Sequence, residues 1–167
     1  MPLTPTAEAS FKILLNLMRV VVQRVKKAAV EIEGQLVGDI QKGLLVLLGI
    51  EHEDGPDDAK YLIQKLTQLR IFSDADGKMN LSIQDIGGQF LVVSQFTLHA
   101  ATRKGNRPSY IRAARPEQAI PLYEYFVAEL QKLSASQVQT GSFGADMQVS
   151  LVNDGPVTII MDSKGEI

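Results

Sequence analysis

Ser94, Thr97 and His99 bring two hydroxyls and an imidazole within six positions, the side-chain types from which acyl transfer is built. A Ser-His-Asp relay is formally available from Ser94, His99 and either Asp85 or Asp154. Two features argue against it. No G-x-S-x-G elbow is present. Ser94 and His99 also stand five apart on a strand and its exit, so they face opposite ways if the strand continues. His99 is therefore read as a surface or supporting residue. Glu51, His52, Glu53, Asp54, Asp57 and Asp58 crowd together but match no metal-ligand spacing. They read as a solvated loop and helix N-terminus. Asp74-Ala75-Asp76-Gly77 begins like a calcium loop but lacks the third carboxylate and the closing Glu, so it reads as a turn. Gly141-Ser142-Phe143-Gly144 is neither a dinucleotide fingerprint nor a P-loop, and reads as a bend between strands. No metal and no cofactor is expected.

Three segments remain. Ser94-Gln95-Phe96-Thr97-Leu98 ends a β-branched strand in small polar groups and backbone donors. Asn153-Asp154-Gly155-Pro156-Val157-Thr158 sets a Gly-Pro bond among strand residues, where proline removes a ladder donor. X-Pro is also the bond at which cis is least disfavoured. From Arg103 to Arg115 stand five cations and no acid: Arg103, Lys104, Arg107, Arg112 and Arg115. On a chain of net charge −2 such a patch suits phosphate contact, which positions a nucleic acid without reading its sequence.

The elements that must hold these segments follow from hydrophobic pattern. RVVVQRV (19–25) is β-branched; 29–40 alternates on both sides of Glu33-Gly34 as a hairpin; 43–51 is a continuous apolar run, as in a strand buried on both faces. Asp54-Gly55-Pro56 caps a helix whose apolar positions are Ala59, Leu62, Ile63, Leu66 and Leu69. A short strand and turn follow over 70–80, then a strand over 89–98 and an irregular loop over 103–110. A second helix starts near Pro116, with Ala119, Leu122, Tyr123, Phe126, Val127, Leu130 and Leu133 as its stripe. Strands are expected at 138–143, 147–154 and 156–162. The order β-β-β-α-β-α-β-β-β indicates an α+β domain, its sheet covered by two helices, rather than a doubly wound parallel sheet.

Composition sets outer bounds. At 167 residues the chain suits one domain, and 45% apolar with 22% charged residues is globular usage. The absence of cysteine removes disulfides, thiolate metal sites and a Cys nucleophile, and fits a cytoplasmic location. The apolar stretch 11–22 is interrupted by Lys12, Asn16 and Arg19 and is too short to span a membrane. Residues 1–17 read as an N-terminal extension outside the fold, with the domain beginning at Met18 and running to 167.

SQFTL at 94–98 and NDGPVT at 153–158 resemble the two signature motifs of the D-aminoacyl-tRNA deacylases, the D-Tyr-tRNA(Tyr) deacylase family. The similarity extends through MRVVVQRV (18–25), KGNRPSY (104–110) and TGSFGADMQVSLVNDGPVT (140–158). The resemblance implies a β-rich pseudo-barrel with two covering helices. It also implies hydrolysis of the ester joining a D-amino acid, or glycine, to the terminal adenosine of tRNA. A homodimer is implied, with active sites at the interface. In this sequence Ser94, Gln95, Phe96 and Thr97 would form one wall of the catalytic pocket. A cis Gly155-Pro156 would enter the partner's pocket, fixed by Arg24. Phe143 and Met147 would meet the terminal adenine, and Lys104 and Arg107 would hold tRNA phosphates. The other class consistent with the basic segment is a non-catalytic nucleic-acid-binding module.

Overall fold

The computed structural model describes residues 17–165 and 167. The expected extension lies outside them except for Leu17, which is buried and donates its N–H to Glu51 Oε2 at 3.1 Å.

Among the described residues, eight strands and two helices follow in the order β1 (Arg19–Ile32), β2 (Gln35–Ile40), β3 (Gly43–Gly49), α1 (Pro56–Gln68), β4 (Phe72–Ser73), β5 (Met79–Leu81), β6 (Gln89–Ser94), α2 (Pro116–Leu133), β7 (Val138–Thr140) and β8 (Gln148–Asp162). β4 and β5 form a small separate hairpin. The main sheet is organised by β1. Along one edge it pairs with β3 over residues 19–25 and with β2 over 28–32; along the other it pairs with β8 for almost its whole length. β3, β6 and β7 then continue the sheet in parallel. β2 folds across β6 and β7 and nearly closes a barrel. Gly38 permits that closure, since a Cβ there would stand 2.6 Å from the Thr140 carbonyl oxygen.

β3 shows why an uninterrupted apolar run was needed. Leu44, Val46 and Leu48 face a core shared with Ala59, Leu62, Ile63 and Leu66 of α1 and Leu122, Phe126 and Leu130 of α2. Leu45 faces the opposite way, into a barrel interior with Val25, Val30, Ile40, Leu91 and Val93. A strand buried on both faces has no polar side to alternate with. α1 begins at Pro56, with the Gly55 N–H donating to Asp58 Oδ2 at 2.9 Å. Asp54 is not the cap; it turns back to accept the Glu51 N–H at 2.7 Å.

Three strands differ from expectation, and the one expected over 138–143 ends at Thr140. The strand expected over 89–98 ends at Ser94, and Phe96–His99 form a 3-10 turn. Its neighbour β3 ends at Gly49, so no ladder continues beyond that level. Residues 148–162 form one strand, not two. Gln23 pairs with Thr158 and Val25 with Asn153, so Arg24 alone faces Asp154, Gly155, Pro156 and Val157. The Gly-Pro unit is thereby looped out as a bulge while the ladder resumes on either side.

Candidate active site

A cleft of about 250 Å³ opens where β6 gives way to the 3-10 turn. Ser94, Gln95 and Phe96 form one side; Phe143 and Met147, from the bend between β7 and β8, form another. The sequence reading missed Ile50, Ala114, Ala119 and Asp146, which also line it. Ala114 and Ala119 are small, and only the return of the chain past the end of β3 brings them there. That approach rests on an Ala114 N–H bond to the Ile50 carbonyl at 2.9 Å.

The turn leaves donors free. Gln95 N–H is taken by the Leu48 carbonyl at 2.8 Å, and Leu98 N–H by the Gln95 carbonyl at 3.2 Å. The Phe96 and Thr97 N–H groups meet no acceptor among the described residues. They are the orphan donors that open any helical turn. Thr97 Oγ1 accepts from Gln95 Nε2, and no imidazole or carboxylate bonds it among the described residues. Phe96 is half exposed and packs edge-on against Tyr110, centroids 5.0 Å apart. Phe143 packs likewise against Tyr123 at 5.9 Å.

His99 is neither at the surface nor in the cleft lining. It is buried with Nδ1 3.0 Å from Glu51 Oε1. Glu51 is also buried and accepts Arg112 Nη2 at 2.7 Å, so the expected solvated acidic loop is in part an internal ionic knot. Burial holds the His99 imidazole below its ordinary pKa, against the opposing pull of Glu51. A glutamate directly after an apolar strand was the available signal for this anchor. Asp54, in the same knot, is pushed up to about 7 from 3.8, chiefly by desolvation. Its raised folded-state value means that its contribution to stability is present below pH 3.8 and lost as pH rises through about 7. Asp54→Asn keeps an acceptor for the Glu51 N–H without the charge. We expect it to gain on the order of 2 kcal/mol over wild type between pH 4 and pH 8, read from urea midpoints at both values.

The bulge is a second, separate feature: none of Arg24, Gly155 or Pro156 lines the cleft of the same chain. The Gly155–Pro156 bond is cis and both residues are exposed. Arg24 lies beneath, Nε donating to the Asp154 carbonyl at 3.0 Å and Nη1 to the Ile71 carbonyl at 2.7 Å. Asn153 closes the bulge, Oδ1 accepting the Val157 N–H at 3.1 Å and Nδ2 donating to Thr158 Oγ1 at 3.2 Å. Lys104 and Arg107 stand exposed on a loop pinned at its base by paired Ala101 and Ser109 bonds of 2.8 and 2.9 Å.

Comparison with known proteins bears on both features. The family model described as D-Tyr-tRNA(Tyr) deacylase matches residues 21–162. A D-aminoacyl-tRNA deacylase of Akkermansia muciniphila is 64% identical over 147 residues, 88% of this chain and 98% of the relative. One from Flavobacterium johnsoniae is 60% identical with the same coverage. A solved structure titled c-Myc DNA Unwinding Element Binding Protein superposes with TM-score 0.82 at 41% identity, covering 86% of this chain and 97% of that one. A probable eukaryotic D-amino acid tRNA deacylase shares the fold at TM-score 0.75 and 16% identity, over 87% and 99% of the two chains. The family match spans the cleft-forming turn and the bulge alike, and relatives more than half identical run almost the length of the domain, so this chain belongs to the D-Tyr-tRNA(Tyr) deacylase family.

Proposed function

We propose that this protein hydrolyses the ester between a D-amino acid, or glycine, and the 3′-terminal adenosine of tRNA, with main-chain groups performing both catalysis and chiral selection. Family membership carries the coarse activity, D-aminoacyl-tRNA deacylation. The observation that carries the mechanism is the pair of unpartnered N–H groups, Phe96 and Thr97, on the turn that walls the cleft. Donors aimed at a developing oxyanion each contribute about 2.7–4 kcal/mol, and an aminoacyl ester is labile enough for that to matter.

No activated nucleophile accompanies them among the described residues. Among the described residues no imidazole or carboxylate bonds Thr97, and His99 is turned to Glu51. The vicinal 2′-OH of the terminal ribose then serves as the polar partner of the attacking water, while Ser94 and Gln95 complete the pocket wall. Thr97→Ala is expected to retain near-normal turnover on D-Tyr-tRNA. Complete loss with unchanged binding would make Thr97 the nucleophile instead.

Selection of hand needs a rigid surface, because the two enantiomers carry identical groups. A looped-out Gly155-Pro156 unit held from below by Arg24 offers carbonyls that cannot rotate away. In a homodimer with the active sites at the interface, each protomer's bulge would close the other's cleft. The wall would face the substrate α-amino group and occupy the space of an L side chain, leaving D side chains in solvent. Glycine has nothing to clash and passes. Phe143 and Met147 would meet the terminal adenine, and Lys104 and Arg107 the backbone phosphates. The decisive assay compares matched D-Tyr-, L-Tyr- and Gly-tRNA: rapid turnover of the first, some of the third and none of the second is expected. Rapid hydrolysis of L-Tyr-tRNA would overturn the gate. No turnover of any substrate would favour the nucleic-acid-binding reading, to which the basic loop and the 41% identical relative named for DNA binding lend weight.

A further inference from the structure

Phe143 lines two spaces, and the catalytic cleft is one of them. The other is a groove of about 520 Å³ between α2 and the end of β7. The groove is lined along α2 by Ile120, Tyr123, Glu124, Val127 and Ala128, one helical stripe. Tyr123 is buried in the core and Val127 packs against it, but Ile120 and Val127 are only half buried and leave apolar surface to the groove. Its size is that of a small-ligand site, and its apolar walls suit a flat heterocycle. One charged group lies among them without a partner: Glu124 is exposed and makes no ion pair or hydrogen bond among the described residues.

We propose that this groove seats the penultimate base of the tRNA 3′ end, a cytosine, with Glu124 accepting its exocyclic amine. This rests on the placement of the terminal adenosine in the neighbouring cleft. Phe143 lines both spaces, so the two positions adjoin at one aromatic side chain, within reach of consecutive nucleotides of a single strand. Seating successive bases against aromatic side chains is a recurring way to hold single-stranded nucleic acid. The carboxylate selects which base. Beside a polyanion it is unfavourable unless it accepts hydrogen bonds. Cytosine offers an amine donor at N4, whereas uracil offers a carbonyl there.

The test uses three small substrates: D-tyrosyl-adenosine, D-tyrosyl-CpA and D-tyrosyl-UpA, each esterified at the terminal ribose. For wild type, kcat/KM is expected to rise about tenfold from adenosine to CpA, with UpA about fivefold below CpA. Glu124→Ala is expected to make CpA and UpA equivalent. Ala128→Trp, an exposed helix position, fills the groove and is expected to bring the CpA-to-adenosine ratio towards one. If wild type hydrolyses adenosine and CpA esters equally, or either variant keeps the wild-type ratios, the groove is not a base site although the deacylase reading stands. If none of the three substrates is hydrolysed, the parent reading fails first. If Ala128→Trp instead changes the sedimentation of the protein, the groove is a subunit contact and the proposal is overturned.

Discussion

Replacing Arg24 by methionine is expected to cost about a hundredfold in kcat/KM on D-Tyr-tRNA and to collapse the ratio of D to L turnover. The guanidinium bridges two carbonyls from distant segments, Asp154 at 3.0 Å and Ile71 at 2.7 Å. Its side chain is only 11% exposed, so methionine keeps the stem packing but leaves both oxygens without their donor. Each such loss in a partly buried place costs about 1–3 kcal/mol, and the bulge above is the part free to move. Arg24→Lys is not a rescue, because a single ammonium cannot reproduce a fork spanning two acceptors. Gly155→Ala attacks the same wall from above. Residue 155 has φ of +134°, and a Cβ there would lie 2.9 Å from Val157 Cγ2 and 3.0 Å from Arg24 Nη2. Both variants should show the lost D/L ratio in paired D- and L-Tyr-tRNA assays. A ratio unchanged in both would remove the bulge from chiral selection.

The largest stability effect is expected at Glu51. Its carboxylate is buried and holds Arg112, His99 and the Leu17 N–H at once, while its backbone engages Asp54 and Gln118. Removing one member of a buried ionic knot takes a partner from each of the others, which costs up to about 3–5 kcal/mol. Arg112 can partly recover water at 33% exposure, so Glu51→Ala is expected near 3 kcal/mol, measured by equilibrium urea unfolding. Glu51→Gln preserves the shape and should lose about half as much. A loss below about 0.5 kcal/mol for the alanine variant would contradict the reading of this cluster as an anchor.

The helices and most strands were legible because their patterns are local. The stripe from Ala59 to Leu66 and the two-faced run of β3 carry their periods within a single element. The elements that misled depend on a neighbour. Nothing in Gln95-Phe96-Thr97 says that the ladder stops at Ser94; that is set by the end of β3 on the adjacent strand. Gly155-Pro156 looked like a strand break because proline cannot donate. β1 remains a partner on both sides of it, and the irregularity is absorbed opposite one residue, Arg24. The motif residues at the cleft were found through resemblance, whereas Ala114, Ala119 and Asp146 reach it only through tertiary return of the chain. Glu51 and Asp54 were read as solvated because charge favours water. Their burial becomes intelligible only beside Arg112 and His99, both far along the sequence.

β1 is the spine of the sheet, and its most extensive partner is the last strand: Arg19 lies against Asp162 and Glu31 against Gln148. During biosynthesis, then, β1 must wait until β2 to β7 and both helices have been made before its most extensive partner appears. Until residue 148 clears the ribosome, one entire edge of β1 has unsatisfied amides and apolar side chains with nothing to cover them. Completion of the main sheet should therefore wait until β8 has been made. A nascent chain truncated before β8 should behave as an aggregation-prone intermediate rather than as a smaller stable domain.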